Sequence, residues 1–322
     1  MQGMVDISLM IEGQNGLTWP CWKQLVADAE SLGFAGLFRS DHFTNARPPD
    51  KDSLEMIVSL TYLADHSRRL HFGPLVAPVS FRHPTLLARQ AAALDDLSGG
   101  RMILGVGAGW QEREHSLFGH DLGDIPTRMQ RLEEALEVIT RLLRSDEPVS
   151  YSGRFFQLDG ATLLPRPQRP GGPTLLIGGN GIKRTLPLAA RYATIWNAIG
   201  LTPDAFRARS AQLDTLLQAA GRQSAEVRRT LMLTLLFARD EAELDRRMPW
   251  RRNDPELASL PFEQAVAQIA SSGRALVGNA EHIRAQIATY AQAGVDELML
   301  QWLDLDDLVG LRTFATSVLP HL

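Results

Sequence analysis

Short apolar runs of strand-forming residues alternate along the chain with longer stretches whose apolar positions recur about every three to four residues. VDISLM at 5–10 predicts a first strand, and the helix expected around 22–32 ends at Gly33. AGLFR at 35–39 predicts a second strand, followed by a helix over 54–66. LHFGPLVA at 70–77 is a third, and Pro84 opens the next helix, since a proline fits the first helical turn. MILGV at 102–106 is a fourth, with a helix near 127–143. TLLI at 174–177 and the runs at 193–196, 229–237 and 296–301 bring the expected strands to eight.

Continuous apolar strands are expected where helices cover a sheet or where a sheet closes on itself. Strand–helix alternation implies parallel pairing through right-handed crossovers. Eight such units predict an α/β fold, a (β/α)8 TIM barrel, as one domain over 1–322. Two insertions interrupt the repeat, near 148–173 and 248–262. In the first, SG lies between two alternating runs in VSYSGRFFQLDG and predicts a hairpin, followed by the proline-stiffened LPRPQRPGGP. The second, MPWRRNDPELASL at 248–260, is too polar and proline-broken for a helix.

Composition narrows the function classes. The chain has 322 residues, 44% of them hydrophobic, enough for a sizeable core. Its net charge of −4 has both signs interspersed, so no nucleic-acid or membrane partner is expected. The one cysteine, Cys21, excludes an internal disulfide and argues against a thiolate metal cage. No apolar run approaches the roughly 20 residues that span a bilayer. The first residues lack signal-peptide features, and a cytoplasmic protein is the expectation.

In such a barrel, the loops after the strands build the active site. Ser40-Asp41-His42-Phe43 follows the second strand, where His42 could exchange a proton near neutral pH or serve as a surface capping residue. Gly105-Val106-Gly107-Ala108-Gly109-Trp110 follows the fourth. Its glycines permit close backbone approach to a ligand or form a tight turn, and Trp110 breaks a dinucleotide fingerprint. Gly178-Gly179-Asn180-Gly181 follows the fifth, with Lys183, Arg184 and Thr185 entering a helix, a plausible phosphate cradle. The histidines lack metal-ligand spacing, and no G-x-S-x-G elbow occurs. Several of the tryptophans Trp19, Trp22, Trp110, Trp196, Trp250 and Trp302 fall at expected strand ends, where a flat cofactor could stack.

SDHF at 40–43, FRHP at 81–84 and LSGGRMILGVGAGW at 97–110 resemble the luciferase-like flavin- and deazaflavin-dependent oxidoreductases. So do PTLLIGGNGIKRTLPLAARYATIWN at 173–197 and GVDELMLQ at 294–301. The wording is most similar to the subgroup using coenzyme F420. That resemblance implies a barrel with its cofactor at the strand ends, and His42, with Asp41 beside it, near the ring and the substrate. It implies a cis peptide at Leu75-Val76 behind the ring and Gly107, Ala108 and Gly109 along the polyol chain. Gly178, Gly179, Asn180 and Gly181, with Arg184 or Thr185, would receive the phosphate.

Sugar-phosphate dehydrogenases of the subgroup carry a tryptophan shortly after the histidine and a catalytic glutamate after the fourth-strand glycines. Ala46 and Trp110 stand in those places here, which speaks against glucose 6-phosphate as substrate. Glu12 offers a carboxylate near the end of the first strand or is a solvated loop residue. The leading expectation is hydride transfer between coenzyme F420 and a small-molecule substrate, with His42 as acid/base. The alternative is an FMN-dependent monooxygenase supplied by a partner flavin reductase; a third reading is a non-catalytic flavin-binding barrel. The resemblance also suggests a homodimer.

Overall fold

The computed structural model describes residues 5–248, 253–254, 257 and 259–322. The chain begins β1 (Asp6–Ile11), α1 (Trp19–Leu32), β2 (Gly36–Arg39), α2 (Met56–His66), β3 (His71–Pro74), β4 (Ala77–Pro78) and α3 (Pro84–Ser98). Next come β5 (Ile103–Gly107), α4 (Glu112–Phe118), α5 (Ile125–Arg144), β6 (Val149–Ser152), β7 (Gln157–Ala161) and β8 (Thr174–Gly178). Then follow α6 (Thr185–Tyr192), β9 (Ile195–Ile199), α7 (Pro203–Ala219), β10 (Arg228–Phe237) and α8 (Glu241–Arg247). The last elements are α9 (Phe262–Ser271), β11 (Ala275–Gly278), α10 (Ala280–Gln292), β12 (Glu297–Trp302) and α11 (Leu308–Val318).

The main sheet runs β3-β2-β1-β12-β10-β9-β8-β5-β4, with every pairing parallel. A parallel bridge between Phe72 and Met102 brings β3 against the start of β5 and closes the ring. Because β3 and β4 are halves of one interrupted strand, the path has the eight positions of a barrel. Each of the eight expected strands is present. The third differs from a single run over 70–77: it breaks at the Leu75–Val76 peptide, which is cis. The strand β11 was not anticipated. It pairs with the far half of β10, beyond the end of β9.

Alternation of side chains explains why the strands read as unbroken apolar runs. Met10, Phe38, Ile103, Leu176, Ile195 and Met299 point inward and pack together inside the barrel. Their neighbours Leu9, Leu37, Leu104, Ile177, Trp196 and Leu300 point outward into the layer between sheet and helices. Both faces are therefore dry. The hairpin expected in the first insertion is β6–β7, antiparallel. The Glu134 carboxylate of α5 anchors it, accepting the amides of Arg154 (3.0 Å) and Phe155 (2.8 Å). Most of 248–260 lies outside the described residues.

The seam between β3 and β5 is the tightest place in the barrel. A Cβ on Gly73 would fall 1.8 Å from the carbonyl oxygen of Ile103, and one on Gly105 would fall 2.1 Å from that of Pro74. Neither obstacle is a flexible side chain that can swing aside, so only glycine fits either position. We therefore expect Gly73→Ala or Gly105→Ala to cost about 1–3 kcal/mol or more through overpacking. Urea unfolding measures this, and unchanged midpoints in both variants would contradict the seam described.

Candidate functional site

A cavity of about 570 Å³ opens at the C-terminal ends of the strands, in the size range of small-molecule and cofactor sites (roughly 300–1,000 Å³). The strands surround it with Met10 and Glu12 beside β1, His42 after β2, Gly178 on β8, Asn197 on β9, Met232 on β10 and Gln301 on β12. A larger, open recess of about 770 Å³ lies at the other end, around Asp6, Arg228 and Asp296. There Arg228 pairs with Asp6 and Glu297. Only the first sits where a parallel barrel gathers its loops, and we take it as the site.

Leu75 and Val76 line this cavity at the interruption between β3 and β4. Three neighbouring glycines make room for Val76. A Cβ on Gly107 would sit 2.5 Å from Val76 Cγ2, and those on Gly105 and Gly178 would sit 3.0 and 3.3 Å from Val76 Cγ1. The sequence reading assigned the glycines after β5 to ligand approach or to a tight turn. The structure adds a different constraint: they accommodate the side chain that forms the cavity wall. Gly107, Ala108 and Gly109 do line the cavity.

His42 is held by a residue that sequence reasoning did not single out. Its Nδ1 lies 2.8 Å from Glu114 Oε1, while Glu114 Oε2 accepts the Phe43 amide at 3.0 Å. Glu114 is 1% exposed and sits in the first turn of α4, where its own amide donates to the capping Gln111 side chain. The Gln111 amide donates in turn to Thr44 O at 2.9 Å, fastening the loop after β5 to the loop after β2. With Nδ1 engaged, Nε2 is the ring nitrogen left for a ligand. Burial alone lowers the His42 pKa, but the hydrogen bond and charge of Glu114, aided by Glu12 and Asp41, hold it above the ordinary histidine value. The signal available in sequence was a glutamate in the first turn of a helix directly following the glycine turn.

Glu12 also lines the cavity, with its carboxylate accepting from Gln14 Nε2 (2.8 Å) and from Gln301 Nε2. Gln301 is oriented by Thr234, whose hydroxyl donates to its Oε1 at 2.9 Å. Asp41 does not line the cavity. It is buried in a two-point pair with Arg82, whose guanidinium also reaches Glu55 at 2.6 Å. The FRHP segment thus has separate tasks. Phe81 stacks on His115, Arg82 holds Asp41, and His83 caps α3.

The loop after β8 divides in two. The Gly179 amide donates to Asn197 O, and the Asn180 side chain clamps the Ile199 backbone at 2.6 and 3.0 Å. Those groups are spent within the protein, so the expected cradle narrows. The amides of Gly181 to Arg184 find no acceptor among the described residues. They border a recess of about 750 Å³ with Lys183, Arg184, Thr185 and Arg209 on one side and Ile125 and Met129 on the other. Of the tryptophans, Trp22, Trp196 and Trp302 are buried in the core, and Trp250 lies outside the described residues. Trp110 lines the cavity.

Comparison with known proteins places the chain in a family. The model of the luciferase-like monooxygenase family matches residues 11–297. An F420-dependent glucose-6-phosphate dehydrogenase of Amycolatopsis mediterranei is 28% identical, over 91% of this chain and 92% of that protein. A 4-hydroxyprotoasukamycin monooxygenase of Streptomyces nodosus is 37% identical over 44% of this chain and 37% of its own. Among solved structures, an F420-dependent secondary alcohol dehydrogenase in complex with an F420–acetone adduct superposes with a TM-score of 0.82 at 19% identity, covering 98% of both chains. That likeness supports the barrel alone. The match to the family model supplies the assignment: the chain belongs to the luciferase-like monooxygenase family of oxidoreductases.

Proposed function

We propose that this protein is a coenzyme F420-dependent oxidoreductase that interconverts a small alcohol and its carbonyl compound, with His42 exchanging the proton. The supporting observation is a cavity bordered by the Glu114-held His42, with a separate recess at the β8–α6 loop lined by cations and by amides that find no acceptor among the described residues. The residues fit the group. Leu75, Val76 and the Gly107–Ala108–Gly109 turn offer an apolar wall for a flat ring, and Gly181 to Thr185 with Arg184 offer an anion site at the start of α6. When bound, the deazaflavin gives or takes the hydride. Relatives that cover the chain almost end to end carry F420 in their names.

The chain's own part is positioning, exclusion of water and movement of one proton. Glu114 directs Nε2 toward the cavity and favours its protonated form. Reduction of a carbonyl takes that proton, so its rate holds at low pH and falls as pH rises through the elevated His42 pKa. Oxidation of an alcohol requires neutral Nε2 and rises over the same interval. The monooxygenase relative favours a second reading, with reduced FMN from a partner flavin reductase in the same cavity.

Fluorescence titration separates the two: F420 binds more tightly than FMN under the first reading, and tight binding of FMN alone contradicts it. His42→Ala should lower turnover about 10²–10⁴-fold with little change in F420 affinity. Equal losses of both would make His42 a binding residue. Glu114→Gln should move the pH limb of turnover to lower pH while leaving F420 affinity near wild type. An unmoved limb would show that Glu114 does not set the protonation of His42.

A further inference from the structure

Three large apolar side chains stand in water at the C-terminal mouth of the barrel. Trp110 lines the cavity with its ring edge-on to His42, centroids 5.4 Å apart, yet it is 61% exposed. Ile199, at the end of β9, also lines the cavity and is 44% exposed. Phe118 is 55% exposed and packs edge-on against Phe43, the residue after His42, at 5.0 Å. Leaving apolar surface of this size in solvent is costly, and at the mouth of a cavity it marks a contact surface for a ligand. The charged side chains lining the cavity among the described residues are His42, Glu12 and Glu114. Two carboxylates facing one imidazole oppose an anionic substrate beside His42. Lys183, Arg184 and Arg209 border the other recess, where the proposed cofactor needs them.

We propose that Trp110, edge-on to His42, and Ile199, on another wall of the same cavity, form a substrate subsite that binds the apolar substituent of a neutral ketone, aldehyde or alcohol. Trp110 is then a specificity-determining residue. The inference rests on the deazaflavin reading and sets this chain apart from the sugar-phosphate specificity in its relatives' names. In the reducing direction F420, when bound, would supply the hydride to the carbonyl carbon. The C=O π pair would move to oxygen, which would take the proton from His42 Nε2, giving the alcohol and a neutral His42 that regains its proton from water. The substituent takes no part in the bond changes. Its contact with the indole lowers KM without entering the chemical step.

The test is calorimetric binding of the 2-ketones from butanone to decanone, and of glucose 6-phosphate, to the whole protein with and without F420. In wild type each added methylene should tighten binding about twofold to fourfold until the substituent outgrows the indole. Trp110→Ala should flatten that dependence, while Trp110→Phe should keep most of it. Because Trp110 is largely exposed, both variants should keep the wild-type melting temperature. A flat series in wild type, the same slope in Trp110→Ala, or tighter binding of glucose 6-phosphate than of 2-octanone would overturn the proposal. If F420 fails to bind but the Trp110-dependent slope persists, the cofactor reading fails and the subsite stands. Tight F420 binding with a flat series gives the reverse.

Discussion

One buried carboxylate organises the mouth of this barrel. Glu114 binds the imidazole of His42 with one oxygen and the Phe43 amide with the other, so a single side chain fixes both the orientation of the ring and the loop that carries it. Hydrogen bonds to a charged group are worth about 1.5–3 kcal/mol each, and losing them here would leave a charge buried without partners. The loops after β2 and β5 therefore cannot shift independently. Gln111 and Thr44 repeat the connection one step away. What lies below is rigid for a different reason: the inward side chains pack as one layer, and the β3–β5 seam leaves no room even for a methyl group.

Charge is distributed unevenly over that frame. The cavity beside His42 carries carboxylates and apolar walls, while the cations gather on the β8–α6 loop and at Arg209. Under the proposed function, the cofactor's ring would lie in the cavity beside His42 and its phosphate at the cationic loop. Trp110 adds an exposed apolar face to the cavity, edge-on to His42.

Much of the barrel was legible because a closed parallel sheet covered by helices leaves a simple trace, a short apolar run before each amphipathic stretch. VDISLM, AGLFR and MILGV fall on β1, β2 and β5 to within a residue or two. The break in LHFGPLVA was legible only through family resemblance, since its apolar pattern runs on unbroken through the cis bond. Position after a strand singled out His42, Gly107, Ala108, Gly109 and Gly178, all of which line the cavity. Position could not say that the polar groups of Asp41, Gly179 and Asn180 already have partners within the protein. Asp41 is taken by Arg82, Gly179 by Asn197, and Asn180 by Ile199. Glu114 escaped notice because its partner is 72 residues away, and only the closed barrel brings the two loops together.

The proposed function requires a deazaflavin in the strand-end cavity against Leu75 and Val76, within reach of His42. A crystal structure of the protein soaked with oxidised coenzyme F420 tests it most directly. The account predicts the ring beside Leu75, Val76 and the Gly107–Ala108–Gly109 turn, and the phosphate at the amides of Gly181 to Thr185. A ring bound elsewhere, or a phosphate held away from the β8–α6 loop, would contradict it.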